Sequence, residues 1–413
     1  MVSQILSEED NINRIEKEKS EREKLEEKSL LKKINTTTLP FTLLPVKFQQ
    51  ELEFLKKSLT PYTRRAYLVG GMVRDTLLGR ADKIKEGDLE VYDIPPDLFE
   101  KIMVQIGAKG VGKSFFVYKW KNWDISLPRR ESKTGEGHRG FQVELEWEER
   151  IASRRRDFTI NALMWHIFTG EIKDYHGGRV DLKKRILRHI ASDTFVEDSL
   201  RVLRGMQFSA RLKFKIAPET VELCRQISLL DLSKERIFGE FEKLFTAPYL
   251  HYGLYYFFQL GIAQKLFGIE VVDRKTCWEL FRLFYRKNPH PAYFFYHLRH
   301  RLNLPLSKII SALSPPKWWE RAVATKKAPK RITNRFLYGL GWRQPLKLFI
   351  TLNLGCCRKW AEKEGIFLKK YRPKKIDPKN PRKSIISELR NYPLIYISEK
   401  LQREDLPQKV QKE

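Results

Sequence analysis

Four carboxylates in one short region are of the type and spacing that metal chemistry uses. In KEGDLEVYDI, Glu86, Asp88 and Glu90 alternate along a predicted strand, so all three point to one face. Carboxylates two residues apart on a strand sit about 6.5–7 Å apart at Cα. They can converge on two Mg²⁺ ions about 3.5–4 Å apart, which activate an attacking hydroxyl and neutralise a triphosphate. The polar face of an edge strand would show the same pattern. A further carboxylate, Asp124, lies in NWDISLPRRE on another predicted strand.

Upstream, YLVGGMVRDTLLGR (Tyr67 to Arg80) reads as an apolar strand, a Gly70-Gly71 turn and a helix beginning at Met72. In that order, strand, glycine turn and helix present backbone N–H groups and a positive dipole end to an anion. Arg74 adds a fork of donors suited to phosphate. An ordinary βα turn, taken alone, would look the same. A second stretch, GAKGVGKS (Gly107 to Ser114), matches the P-loop pattern letter for letter. Its flanks run the wrong way: the predicted helix DLFEKIMVQI precedes it and the predicted strand FFVYKWKNWDISL follows. It is read as a glycine turn leading to Asp124, not as an ATPase loop.

Two Arg-rich segments are predicted as helices. SRRRDFTINAL carries Arg154, Arg155, Arg156, Asp157, Thr159 and Asn161; FVEDSLRVLRGMQFSAR carries Glu197, Asp198, Arg201, Arg204 and Arg211. Asp198, Arg201 and Arg204 are spaced by three and share a helix face. That face is either an ion-pair ladder or a donor–acceptor comb for a nucleobase edge, with the carboxylate accepting from an exocyclic amine and the arginine donating. LPRRESKTGEGHRGF reads as a loop dense in Arg, Lys and Gly. It is either a mobile cover over a substrate or a long surface loop.

These residues need a scaffold. From Tyr67 to about Tyr175, short apolar runs alternate with glycine turns, which predicts a small sheet with helices between its strands. From Leu182 onward the periodicity is helical. The first 35 residues are mixed-charge and poor in apolar side chains, which predicts a solvated helix or a disordered arm. The expected division is a charged arm over 1–40, a sheet-containing head over 41–180, a helical neck over 181–246 and a helical, basic body and tail over 247–413.

The chain has 413 residues, of which 42% are hydrophobic, enough for more than one core. Lys and Arg number 79 against 51 Asp and Glu, a net charge of +28, which favours a polyanionic partner such as nucleic acid. In the last third, Trp318, Trp319, Tyr338, Trp342 and Trp360 are interleaved with basic residues. Lys326, Lys327, Lys330 and Arg331, and then Lys369, Lys370, Lys374 and Lys375, form two basic clusters. They read as a phosphate-backbone track, or as the wet faces of helices whose aromatics form the core. The four cysteines show no C-x-x-C or zinc spacing, which fits a reducing cytosol. No run approaches the roughly 18 apolar residues of a membrane span, and the N-terminus has no apolar signal core. A cytoplasmic protein without membrane contact is expected.

In order along the chain, GGMVRDTLLGR, the D-x-E strand, LPRRESKTGEGHRGF, RRDFTINAL, GEIKDYHGG, LRHI, FVEDSLRVLRGMQFSAR and ERIFGEFEKLF resemble the class II tRNA nucleotidyltransferases. These are the bacterial CCA-adding enzymes and their poly(A) polymerase relatives. The resemblance covers about residues 65–245 and thins beyond. It implies an α+β fold: a polymerase-β-type nucleotidyltransferase sheet domain, then a mostly helical neck, body and tail. It also implies nucleotide contacts at Gly70, Gly71, Arg74, Arg156, Asp157 and Asn161. Mg²⁺ would be held by Glu86 and Asp88, with Asp124 as a third catalytic carboxylate. Asp198 and Arg201 would form a protein template selecting CTP or ATP, with Arg204 beside them, and the helical rear would hold the tRNA acceptor arm.

Two residues depart from the family pattern. Glu86 stands where an Asp is usual, one methylene longer, next to a Gly87 flexible enough to absorb the difference. Gln207 stands where a third Arg is often found. The expected activity is addition of C, C and A to tRNA. The alternatives are poly(A) polymerase, an A-adding enzyme, or a catalytically weakened RNA-binding homologue. With no His-Asp dipeptide in the sequence, an HD phosphohydrolase domain is not expected.

Overall fold

The computed structural model describes residues 34–111, 116–133, 141–270, 272–285 and 290–327, together with 31, 352 and 353. These fall into two compact units. One runs up to Leu232 and includes Gln259–Gly261; the other comprises Ser233–Phe258 and the residues from Ile262 on.

The first unit is built on a seven-stranded sheet of order β3-β4-β5-β2-β1-β8-β9. The strands are β1 (Ala66–Val69), β2 (Gly87–Val91), β3 (Lys109–Gly110), β4 (Val117–Trp120), β5 (Trp123–Ser126), β8 (Met164–His166) and β9 (Ile172–Lys173). Every neighbouring pair is antiparallel except β2 and β5, which run parallel and bring Asp88 opposite Asp124. The apolar alternation of these strands buries Leu68, Leu89, Val91, Trp123, Ile125 and Trp165 almost completely.

Helix α1 (Val46–Leu59) lies in the same unit. Phe48, Leu52, Leu55 and Leu59 fall at helical spacing and form its buried face, with Glu51 among them. Helix α2 (Gly71–Leu77) follows β1, and α3 (Pro96–Gln105) follows β2, begun by a proline in its first turn. Residues 34–40, grouped with the arm on composition, belong to this unit as well. Ile34 and Leu39 are buried, Thr38 bridges to Glu171, and the Leu39 N–H donates to the Gly170 carbonyl at 2.8 Å.

Three elements differ from expectation. The run FFVYKWKNWDISL is not one strand but the hairpin β4–β5, turned at Lys121, which adopts φ 52°. The segment LPRRESKTGEGHRGF is not a loop throughout, and its residues 134–140 lie outside the described set. Its flanks pair as strands β6 (Arg129–Lys133) and β7 (Phe141–Leu145), in register from Arg129 opposite Leu145 to Lys133 opposite Phe141. The Arg- and Lys-rich first strand, RRESK, carries no apolar alternation, so only the second, FQVEL, bears a strand pattern in the sequence. SRRRDFTINAL is not a helix. Helix α4 (Glu149–Ser153) stops before the arginines, and a single 3₁₀ turn covers Thr159–Asn161. The Asp157 carboxylate accepts from the Phe158 N–H at 2.7 Å and from Asn161 Nδ2 at 2.8 Å, offering the backbone a local alternative to helix.

Helices α5 (Gly178–Lys184) and α6 (Ser192–Phe195) lead to α7 (Leu200–Leu212). Helix α7 ends at Lys213, which takes the left-handed conformation, and α8 (Pro218–Gln226) follows. In the second unit the Ser233 hydroxyl caps α9 (Lys234–Phe245). Its core is aromatic: Phe241 lies against Phe295 with ring centroids 5.2 Å apart, and Phe245 against Trp319 at 5.7 Å. Trp319 is buried, whereas its neighbour Trp318 is 52% exposed. No helix among the described residues is long and apolar enough to cross a membrane.

Candidate active site

The expected strand–turn–helix order is present. Strand β1 ends at Val69 and α2 starts at Gly71. Gly70 between them adopts φ 68°, a conformation that L side chains rarely take. A Cβ there would also come within 3.1 Å of Asp88 Oδ2 and 3.7 Å of Arg156 Nη1. The turn, the strand carboxylate and the arginine therefore meet at one place.

Asp88 and Asp124 are cross-strand partners in the parallel β2–β5 pair, about 4.8 Å apart across the sheet. Asp88 keeps solvent-exposed surface on a crowded part of the sheet. Burial pushes its carboxyl above the usual range; Arg156 opposes this, and Asp124, Glu90 and Glu86 add to it. Asp124 is partly exposed, with Lys119 Nζ 3.4 Å from its carboxylate. Glu86 is exposed and lies just before the paired strand. Among the described residues no three acidic, histidine or cysteine side chains are gathered into a metal cluster. Two adjacent carboxylates with a third at the mouth suit a hard cation that keeps several waters and shares its coordination with substrate phosphates, as Mg²⁺ does. The raised Asp88 carboxyl is the sign of a site where a cation would relieve crowded negative charge.

Glu90 shares the parity of Asp88 but not its role. It is 1% exposed. Its Oε1 accepts from Arg155 Nη2 at 2.6 Å and Arg156 Nη2 at 2.7 Å, and its Oε2 accepts from Tyr92 Oη at 3.2 Å. Burial pushes its carboxyl up, but Arg156 and Arg155 outweigh it and hold the group below its usual range. Glu90 is thus the anchor that turns Arg156 toward Gly70. Helix α4, which delivers these arginines, is pinned by Glu149. The Glu149 carboxylate accepts from the hydroxyls of Tyr67 and Tyr175 and from Arg65.

Arg74 does not present an open fork. It is 3% exposed; its Nε and Nη2 donate to Asp75 at 3.0 and 2.8 Å, and its Nη1 donates to Asn161 Oδ1 at 2.7 Å. Asn161 passes the link on to Asp157 Oδ1, and Asp157 Oδ2 accepts from Arg204 Nε at 2.7 Å. A continuous chain, Asp75–Arg74–Asn161–Asp157–Arg204, buried in its middle and partly exposed at both ends, therefore runs from the glycine turn to α7. Asp157 is buried, and the charge of Arg204 and the Asn161 hydrogen bond overcome that burial to hold its carboxyl low. The Arg74 and Arg204 guanidinium carbons both lie 5.1 Å from the Phe208 ring centre.

Asp198 is not on the helix with Arg201 and Arg204. It precedes α7, and its Oδ1 accepts from the Leu200 N–H at 3.2 Å. Arg201 donates to the carbonyls of Thr194 and Arg155, each at 2.5 Å, and burial lowers its pKa. Both arginines are engaged by the segment 154–158, Arg201 through the Arg155 carbonyl and Arg204 through Asp157. Gln207 is buried, and its Oε1 lies 3.5 Å from Arg211 Nη1.

The GAKGVGKS stretch follows α3 and precedes β4, so its polarity is the reverse of a phosphate loop; residues 112–115 lie outside the described set. Of the proposed RNA-contacting lysines, Lys326 and Lys327 are described and exposed. Lys330, Arg331, Lys369, Lys370, Lys374 and Lys375 lie outside the described residues. Sequence reasoning missed Glu51 and Trp123, and it read Glu90 as a metal-facing carboxylate rather than as the partner of Arg155 and Arg156. Glu51 was signalled by an acid on the apolar stripe of α1.

Residues 66–188 match the poly A polymerase head domain, and residues 213–270 match the probable RNA and SrmB-binding site of polymerase A. A multifunctional CCA protein of Xylella fastidiosa (strain M23) is 40% identical over 202 residues, which is 45% of this chain and 47% of that protein. The chain thus matches just under half the length of this relative. In fold, it is similar to the Bacillus stearothermophilus CCA-adding enzyme solved with CTP. The TM-score is 0.59 at 21% identity, over 88% of this chain and 99% of that one. It is likewise similar to the Thermotoga maritima CCA-adding enzyme solved with tRNA, with TM-score 0.59 at 20% identity, over 87% of this chain and 92% of that one. Two segments are thus matched in order: over residues 66–188 and 213–270 the chain is similar to the poly A polymerase head domain and its probable RNA-binding site, and over just under half its length to the multifunctional CCA proteins.

Proposed function

We propose that the chain is a template-independent nucleotidyltransferase that adds C, C and A to the 3′ end of tRNA, using CTP and ATP. The observation that supports this most is the meeting of Asp88 and Arg156 at the Gly70 turn, with Asp124 opposite Asp88 on the next strand. The relatives named as CCA proteins, and the neighbours solved with CTP and with tRNA, suggest the substrates.

In this reading the tRNA 3′-hydroxyl attacks the α-phosphorus. The bond from that phosphorus to the bridging oxygen breaks, and pyrophosphate leaves. Glu86 and Asp88 hold Mg²⁺, which when bound supplies charge neutralisation and a more acidic hydroxyl. Asp124 accepts the hydroxyl proton. The backbone of Gly70–Gly71 and the Arg156 guanidinium hold the triphosphate, and catalysis is positioning plus electrostatic stabilisation. Arg74 and Asn161 stiffen the turn from below. Asp198 and Arg201 select the base, and Arg201 exchanges carbonyl partners for base edges as the nucleotide enters. The β6–β7 ribbon reorganises the site between C and A addition. Lys326, Lys327 and the basic segments beyond them track the acceptor arm.

The test incubates the protein with Mg²⁺ and tRNA ending before CCA, at CC, or at CCA, with CTP, ATP or both. Three additions, C, C and A, are expected. Long A runs would replace this reading with poly(A) polymerase, and incorporation only at tRNA ending in CC with an A-adding enzyme. tRNA binding without incorporation would leave an RNA-binding homologue.

A further inference from the structure

We propose that Trp123 and Glu51 are positioning residues for the metal-binding carboxylates, and that Gly87 is a glycine because the Trp123 ring occupies its side-chain space. The proposal rests on the assignment of Glu86 and Asp88 as metal donors, and its test separates the two.

A Cβ at position 87 would meet Trp123 Cε3 and Cζ3 at 2.6 Å and Met72 Cε at 2.8 Å. Gly87 is buried in β2, paired with Trp123 across the parallel ladder, and its N–H donates to the Asn122 carbonyl at 2.9 Å. It is therefore not a flexible hinge that absorbs the longer Glu86. The indole lies on the backbone that joins Glu86 to Asp88 and is itself the residue before Asp124. One ring thus borders the chain at all three carboxylates.

That ring is held from behind. Trp123 Nε1 donates to Glu51 Oε2 at 2.9 Å, and Glu51 is 5% exposed on the core face of α1. Lys121 Nζ sits 3.7 Å from the other Glu51 oxygen, and Phe48 meets the indole edge-on at 5.4 Å. An apolar residue at position 51 would fill the same core position but leave the indole orientation unspecified. The acid fixes it, and with it the spacing of β2 against β5. Partners that hydrogen-bond directly to metal ligands typically change metal affinity about 10–100-fold; Trp123 and Glu51 act through the strand backbone instead, so an effect at the lower end of that range is expected.

The experiment measures Mn²⁺ binding to the full chain by the loss of the free-ion EPR signal, with and without CTP, alongside thermal unfolding. Asp88→Asn is the control and is expected to abolish binding; retained binding would remove the metal assignment, and this proposal with it. With that control satisfied, Trp123→Phe and Glu51→Leu are each expected to weaken Mn²⁺ binding about tenfold. Glu51→Gln keeps an oxygen acceptor for the indole and is expected to retain wild-type affinity. The Glu51 pair tests the idea even if Trp123→Phe folds poorly, because position 51 touches none of the carboxylates. Lower unfolding temperatures with unchanged Mn²⁺ affinity in Glu51→Leu would make the contact merely structural and overturn the proposal.

Discussion

Replacing Glu90 by Gln tests whether this buried acid anchors the nucleotide arginine. The change keeps the shape and removes the charge that Arg155 and Arg156 share. Breaking a buried pair by neutralising one partner costs about 3–5 kcal/mol. The two arginine side chains keep 20% and 13% of their surface exposed. Partial hydration then places the expected loss near the lower end, about 3 kcal/mol. In a unit of this size that corresponds to a fall in Tm of about 6–12 °C. Arg156, released from Oε1, leaves the Gly70 turn, so KM for both CTP and ATP is expected to rise at least about tenfold. The pH dependence gives a further check. The Glu90 carboxyl is held low in the folded protein, so its contribution is present above its unfolded value of about 4.3 and is lost as pH falls through the lower folded value. Wild type is expected to lose this stability in acid, and the variant to lack that part of the decline. Calorimetry from pH 3 to 8 and steady-state kinetics supply both readouts. A variant with wild-type KM for both nucleotides and a Tm within about 2 °C of wild type would refute the anchoring argument.

Three further outcomes are expected. Asp88→Asn abolishes incorporation yet raises Tm at pH 7 without metal. The raised Asp88 carboxyl gives stability that is full below about pH 3.9 and lost as pH rises through its folded value, and the amide does not suffer that loss. Asp157→Asn leaves Arg204 without its carboxylate partner and is expected to lower stability by about 3 kcal/mol in denaturant unfolding, while shifting the CTP-to-ATP preference more than the rate on the better nucleotide. Glu86→Asp is expected to change kcat by less than about tenfold in the tRNA assay, because Glu86 lies outside the paired strand and its exposed side chain can swing to offset one methylene.

Local features were legible in the sequence. The strand, glycine turn and helix around Gly70 follow from chain order, as does the reversed polarity at Gly107. The sheet-then-helix division follows from the change in hydrophobic period at about Leu182. What was not legible depends on contacts distant in the chain. Nothing near Asp124 says that β5 pairs parallel with β2 and sets it opposite Asp88. Arg74 looked free although two of its donors go to the adjacent Asp75, and the third goes to Asn161 far along the chain; Glu90 looked like a metal ligand because parity alone cannot tell Asp88 from an acid capped by Arg155 and Arg156. Gly87 looked flexible because the ring lying over it arrives from another strand. The SRRRDFT segment failed for a local reason: the helix ends at Ser153, and Asp157 then takes the Phe158 N–H and the Asn161 side-chain amide itself.

The parallel pairing of β2 with β5 also ties the site to the order of folding. All other neighbours in the main sheet are antiparallel, and β4–β5 closes through a tight hairpin. The β2–β5 contact must wait for the intervening helix and hairpin to return the chain, a longer loop closure with a larger entropic cost. Asp88 and Asp124 come together only at that step, and their mutual repulsion adds to its barrier. On the proposed function, a head with every local element formed would still lack its pair of facing carboxylates until those two strands meet.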